Sequence, residues 1–79
     1  MKVSCQFALY PLKHENVGEI LGEAMLELDR LGISYRVGKM STQVQGEEDQ
    51  VFQALRRAFH QAASRGEVVL VATVSNACD

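Results

Sequence analysis

The chain has no tryptophan, one proline, two histidines and two cysteines in 79 residues, and each scarcity closes off a class of chemistry. His14 falls just before an expected helix and His60 within one, with no metal-ligand spacing to each other or to the cysteines, so both read as solvent-facing or structural. Cys5 and Cys78 lie near opposite ends without a CxxC motif, which points away from a metal centre. Pairing of the terminal strands would bring them nearer, leaving a disulfide as the alternative to two free thiols in a reducing compartment. Long apolar runs are also missing: none approaches the ~20 residues that span a bilayer, and no basic leader precedes an apolar segment. The expectation is a soluble cytoplasmic protein that does not insert into a membrane. Charge of one sign is not in excess either. Eight basic residues against ten acidic ones give a net charge of -2, without long-range attraction for a phosphate backbone, so nucleic acid is not an expected partner. Arg56 and Arg57 share their helix with Glu47, Glu48 and Asp49, as on a solvated face. The six glycines form neither a phosphate loop nor a GxGxxG element.

Hydrophobic residues, by contrast, make up 47% of the chain. That supplies one core for a single domain over residues 1–79, although ordering costs of roughly 1.5 kcal/mol per residue nearly cancel the gain from burial at this length. Help from oligomerisation is therefore expected. Residues 2–10 alternate, with Val3, Cys5, Phe7 and Leu9 on one face and Ser4, Gln6, Ala8 and Tyr10 on the other, a strand pattern that Pro11 ends. Asn16 and Glu19 have the spacing of a capping box before a helix whose stripe is Ile20, Leu21, Ala24, Leu28 and Leu31, closed by Gly32. "ISYRVGK" and "STQVQG" are too close for a crossover and read as a hairpin. Glu47, Glu48 and Asp49 suit the positive end of a second helix, with Val51 or Phe52, Leu55, Ala58, Phe59 and Ala62 facing inward. A last strand begins near Val68.

The order strand, helix, strand, strand, helix, strand predicts an α+β fold: a ferredoxin-like βαββαβ sandwich, a four-stranded antiparallel sheet with both helices on one face. The first and third strands would be central, and the last would lie beside the first. That last strand, "VVLVATVS", carries Val68, Leu70, Ala72 and Val74 on one face and Val69, Val71, Thr73 and Ser75 on the other. An edge strand apolar on both faces calls for a second cover, most simply another subunit packed sheet against sheet, as a dimer or a dimer of dimers. The hydroxyls and amide of Ser4, Gln6, Thr73 and Ser75 would then find partners in ligand, water or the facing subunit.

No arrangement for a covalent mechanism stands out, and what remains is a binding surface. Tyr10 can lie against a ring, and the Ser41 and Thr42 hydroxyls can both donate and accept at a heterocycle edge. Taken singly, Tyr10 reads as structural and Ser41 and Thr42 as a strand cap or turn, and Thr42 has the alternative of turning toward the helical layer rather than a pocket. The expected topology brings Tyr10 and Pro11 near Ser41 and Thr42, while Thr73 and Ser75 approach Ser4, so that facing subunits or an extended ligand would be needed to join the two groups. These features suit a neutral or cationic aromatic ligand.

The segments "FALYPL", "NVGEILGEAM", "MSTQVQG", "VFQALRRAFHQAA" and "VVLVATVSNACD" together closely resemble the YkoF-like branch of the thiamine and hydroxymethylpyrimidine binding proteins, and the chain is similar to the broader small thiamine-binding family. The resemblance covers nearly the whole chain and departs from the family pattern where Asn76 and Ala77 precede Cys78. It implies a ferredoxin-like domain that binds thiamine or its pyrimidine moiety as ligand rather than catalytic cofactor, without converting it, in vitamin B1 salvage, transport or sensing. With one copy of the domain here, a homodimer would reproduce the family's pair. The expected ligand-binding residues are Tyr10, Pro11, Ser41, Thr42, Thr73 and Ser75. The competing reading is a regulatory or assembly module that binds another small ligand or a protein partner.

Overall fold

The computed structural model describes residues 1–77, so Cys78 lies outside the described residues. The elements are β1 (Lys2–Pro11), α1 (Val17–Leu31), β2 (Ser34–Val37), β3 (Thr42–Glu47), α2 (Glu48–Ala63) and β4 (Val68–Ser75). The four strands form one sheet in the order β2-β3-β1-β4, with every neighbouring pair antiparallel. This is the ferredoxin-like sandwich expected from the pattern, with β1 and β3 central and β4 beside β1.

Period-two alternation in β1 sends Val3, Cys5, Phe7 and Leu9 into the core, where they meet Ile20, Ala24 and Leu28 of α1 and Val51, Ala54, Leu55, Ala58 and Ala62 of α2. Leu21 and Leu31 are only partly buried and flank the stripe. Alanine at the centre of both helical faces lets the helices lie close to each other and to the sheet. Burial raises the Cys5 thiol above its ordinary value, because a thiolate would lose its hydration there.

Two local expectations are corrected. Asn16 makes no side-chain cap on α1; the spacing of a capping box is present, but the Glu19 carboxylate is engaged by Arg65 Nη1 at 3.3 Å. Phe59 does not face inward. The buried positions of α2 follow Val51, Ala54, Leu55, Ala58 and Ala62, and Phe52 and Phe59 lie together on a different side of the helix, 50% and 38% exposed. Gly32 does close α1 in the left-handed region, with φ at 69°. Its N–H donates to the Asp29 carbonyl at 3.1 Å, and that of Ile33 donates to the Leu28 carbonyl at 3.4 Å, the paired bonds of a Schellman ending.

The far end of the sandwich is tied by charge and backbone. Arg65, just past α2, binds Glu23 of α1 at 2.8 Å, and these carboxylates hold its guanidinium above the ordinary value. The His14 Nε2–H donates to the Arg65 carbonyl, and the ring packs so close to Gly66 that a Cβ there would meet Cδ2 at 3.2 Å. Gly66 also has φ at 141°, a backbone conformation that favours glycine, and the close His14 ring adds to the preference.

Candidate ligand-binding site

Cross-strand partners of an antiparallel sheet share a face, so the registers define what the helix-free face carries. Ser34, Gln45, Ser4 and Ser75 form one row across all four strands, and Arg36, Gln43, Gln6 and Thr73 form the next. Further along, β3 has ended, and only Ala8 opposite Val71 and Tyr10 opposite Val69 continue the face. Its hydroxyls and amides interlock within the chain: Gln45 Nε2 donates to Ser4 Oγ at 3.1 Å, Arg36 donates to Gln43 Oε1 at 3.4 Å, and Ser75 Oγ accepts the Ala77 N–H at 2.9 Å. The two polar rows line a hollow of about 490 Å³.

A second hollow arises because β1 is longer than its neighbour. Pairing with β3 stops at Phe7↔Thr42, and β1 runs on to Pro11. The notch so formed, about 310 Å³, is bounded by residues 7–10 of β1, by Leu21 and Met25 of α1, and by residues 37–42 at the β2–β3 hairpin. Gly38 closes that hairpin by donating its N–H to the Ser41 carbonyl at 2.8 Å. A Cβ at Gly38 would sit 3.1 Å from the same oxygen, so the turn is tight at this point.

The structure brings Tyr10, Ser41 and Thr42 together in the notch. Tyr10 is half exposed at its rim. Thr42 turns toward the helical layer and is only 7% exposed; its hydroxyl donates to the Met25 Sδ at 4.0 Å, a weak acceptor. Pro11 is half-buried opposite Val68 and lines neither hollow. Thr73 and Ser75 line the sheet-face hollow with Ser4 and Gln6, so one chain keeps the two polar groups apart.

Sequence reasoning missed several lining residues. Gln43 and Gln45 belong to the open face, a position readable from the alternation of "TQVQG" against Thr42 and Val44. Leu21, Met25 and Lys39 line the notch, and no periodicity announces a residue that lines a cavity from a neighbouring helix or turn. On the other side of β2, Tyr35 donates to Asp29 Oδ1 at 2.7 Å, which raises the phenol above its ordinary value.

Chemically, the notch offers an apolar floor, a ring, two hydroxyls and an ammonium, and its lining contains no histidine or carboxylate. Among the described residues, no group of three His, Cys, Asp or Glu side chains is placed to hold a metal ion.

The model of the YKOF-related family matches residues 2–79. No curated protein matches the chain. Among solved structures, a domain of unknown function, DUF77, from Bacillus cereus is 24% identical with a TM-score of 0.85, over 95% of this chain and 75% of that one. A Streptococcus pneumoniae protein is 19% identical with a TM-score of 0.87, over 95% and 86%. A Thermotoga maritima protein provisionally assigned to thiamine biosynthesis or salvage is 19% identical with a TM-score of 0.82, over 95% and 83%. At these identities the structural likeness speaks to the fold.

Proposed function

The chain belongs to the YKOF-related family, and on that premise we propose that it binds thiamine, or the hydroxymethylpyrimidine moiety of thiamine, without converting it. The observation that carries this reading is Thr42: a nearly buried hydroxyl that lines a largely apolar notch and rests on a thioether, a weak acceptor. A ligand nitrogen in the notch is a better partner than sulfur. The volume of about 310 Å³ falls at the small end of the roughly 300–1,000 Å³ of small-molecule sites, which are typically apolar with a few placed polar groups. Tyr10 flanks the ring from the rim, Ser41 and Thr42 read its edge, and Pro11 stiffens the strand end beyond. The thiamine-related assignment of the Thermotoga maritima protein supports the choice of ligand class.

A second copy of the chain completes the assembly. Val69 and Val71 on the open sheet face are 43% and 55% exposed, and sheet-to-sheet packing of two copies covers them while placing Thr73 and Ser75 against a facing surface. This same patch favours the second reading, an assembly module whose sheet face meets a protein partner. Calorimetric titration of the folded protein with thiamine and with hydroxymethylpyrimidine tests the first reading. Saturable binding of either without product supports it, and no saturable heat with either compound overturns it.

A further inference from the structure

Beside the notch lies a third hollow of about 330 Å³, lined by Arg36, Gly38, Lys39, Met40, Ser41 and Gln43. The two hollows share the hairpin segment 38–41. Their charge is one-sided. Neither lining contains an aspartate or glutamate, although acidic residues outnumber basic ones in the chain. Arg30 and Arg65 are paired with carboxylates, whereas the Arg36 guanidinium is bonded to the neutral Gln43 amide. Among the described residues no ion pair involves Arg36 or Lys39.

We infer that this adjoining hollow is an anion subsite, and that the ligand the protein takes best is an aromatic heterocycle bearing a phosphate or similar anionic ester, with the ring in the notch and the anion between Arg36 and Lys39. The inference rests on the pyrimidine-binding reading of the notch and sharpens it. Arginine offers a planar fork and lysine a mobile point charge, and together with the Ser41 hydroxyl they match the several acceptor oxygens of a phosphate. The same two cations disfavour a ligand whose own ring is positively charged. Selectivity therefore runs from the anionic ester, through the uncharged alcohol, to the cationic vitamin, which departs from the neutral or cationic ligand that the sequence suggested.

The test is calorimetry on the intact protein with hydroxymethylpyrimidine, its monophosphate, thiamine, thiamine monophosphate and inorganic phosphate, each at low and physiological ionic strength. Each monophosphate is expected to bind roughly five- to thirtyfold tighter than its unphosphorylated parent at low salt, as two solvent-exposed charge contacts allow, with the advantage shrinking as salt is added. Arg36→Gln combined with Lys39→Gln should collapse that ratio toward one, and Arg36→Lys with Lys39→Arg should retain it. Equal affinity for ester and parent, or a ratio unchanged in the double glutamine variant, overturns the anion subsite while leaving the pyrimidine reading in place. Inorganic phosphate binding as tightly as the esters assigns the hollow to a free anion and overturns the joined ligand. Failure of every organic compound to bind overturns both the pyrimidine reading and the inference built on it.

Discussion

The two faces of the sheet obey the same alternation and reach opposite ends. On the covered face, Phe7, Val44, Ile20, Ala24, Leu28, Val51, Ala54 and Ala58 are all but sealed from solvent, because two helices with alanine at their centres press onto a continuous apolar surface. On the open face, Gln45 bonds to Ser4 and Arg36 to Gln43, while Val69 and Val71 of β4 stand exposed. The first face spends its side chains on folding. The second leaves them available, and the proposed assembly draws on positions that the core does not consume, whereas the proposed ligand contacts also reach into the covered face at Thr42.

Breaking the covered face should have the largest effect. Leu28 is fully buried, and Leu28→Ala is expected to cost about 2–5 kcal/mol through lost transfer energy and the cavity left behind, measured as a lowered midpoint in denaturant titration. A loss below 1 kcal/mol would mean that the interior is less tightly packed than its burial implies.

On the open face, Val71→Asp should leave the secondary structure intact by circular dichroism. In a sheet-to-sheet assembly it should weaken association by at least about tenfold, because an unpaired carboxylate would have to be buried. Sedimentation velocity across a concentration series reads this directly, and a wild-type protein that stays monomeric at micromolar concentration removes the assembly.

At the notch end of the covered face, Thr42→Val keeps the branched shape and removes the hydroxyl. Ligand affinity should fall by roughly 0.5–1.5 kcal/mol, the worth of one neutral hydrogen bond, with thermal stability little changed because the bond lost within the protein is to a thioether. Unchanged affinity for hydroxymethylpyrimidine removes Thr42 from the site.

The smallest effect concerns alkaline pH. Tyr35 donates to Asp29 and its folded-state value is raised; Cys5 is raised by burial above an ordinary value of 9.0. For a group raised on folding, the folded state holds its proton more tightly, so the stabilisation is full below the unfolded value and is lost as pH rises through the folded one. Melting temperature should therefore fall on the alkaline side, from above pH 9. Tyr35→Phe, at an exposed pair, should blunt that fall only slightly. A variant with the same alkaline slope as wild type would leave the Tyr35 contact without measurable weight.

Much of this was legible in the chain. The alternation of residues 2–10, Pro11, the glycine after Leu31 and the short hairpin specify six elements in order, and chirality with right-handed crossovers leaves one economical topology. The exposure of Val69 and Val71 followed from alternation in β4, since a strand shows both of its faces in its own sequence. The helices were less transparent. Phe52 and Phe59 are the bulkiest apolar residues of α2, yet small Ala54, Ala58 and Ala62 take the inward positions, because what fits between a helix and a sheet depends on how near they lie. The capping box failed for a similar reason, as Glu19 answered to Arg65, 46 positions away.

The sequence by itself determined the fold class, the faces of the strands and the approach of Tyr10 to Ser41 and Thr42, because these depend on local periodicity and on strand order alone. Only the tertiary structure decided that β1 outruns β3 to leave a notch, that Met25 supplies the sulfur beside the Thr42 hydroxyl, and that Arg36 and Lys39 border the adjoining hollow. A cavity is space between elements, and its walls come from residues remote in the chain whose distances are set by packing.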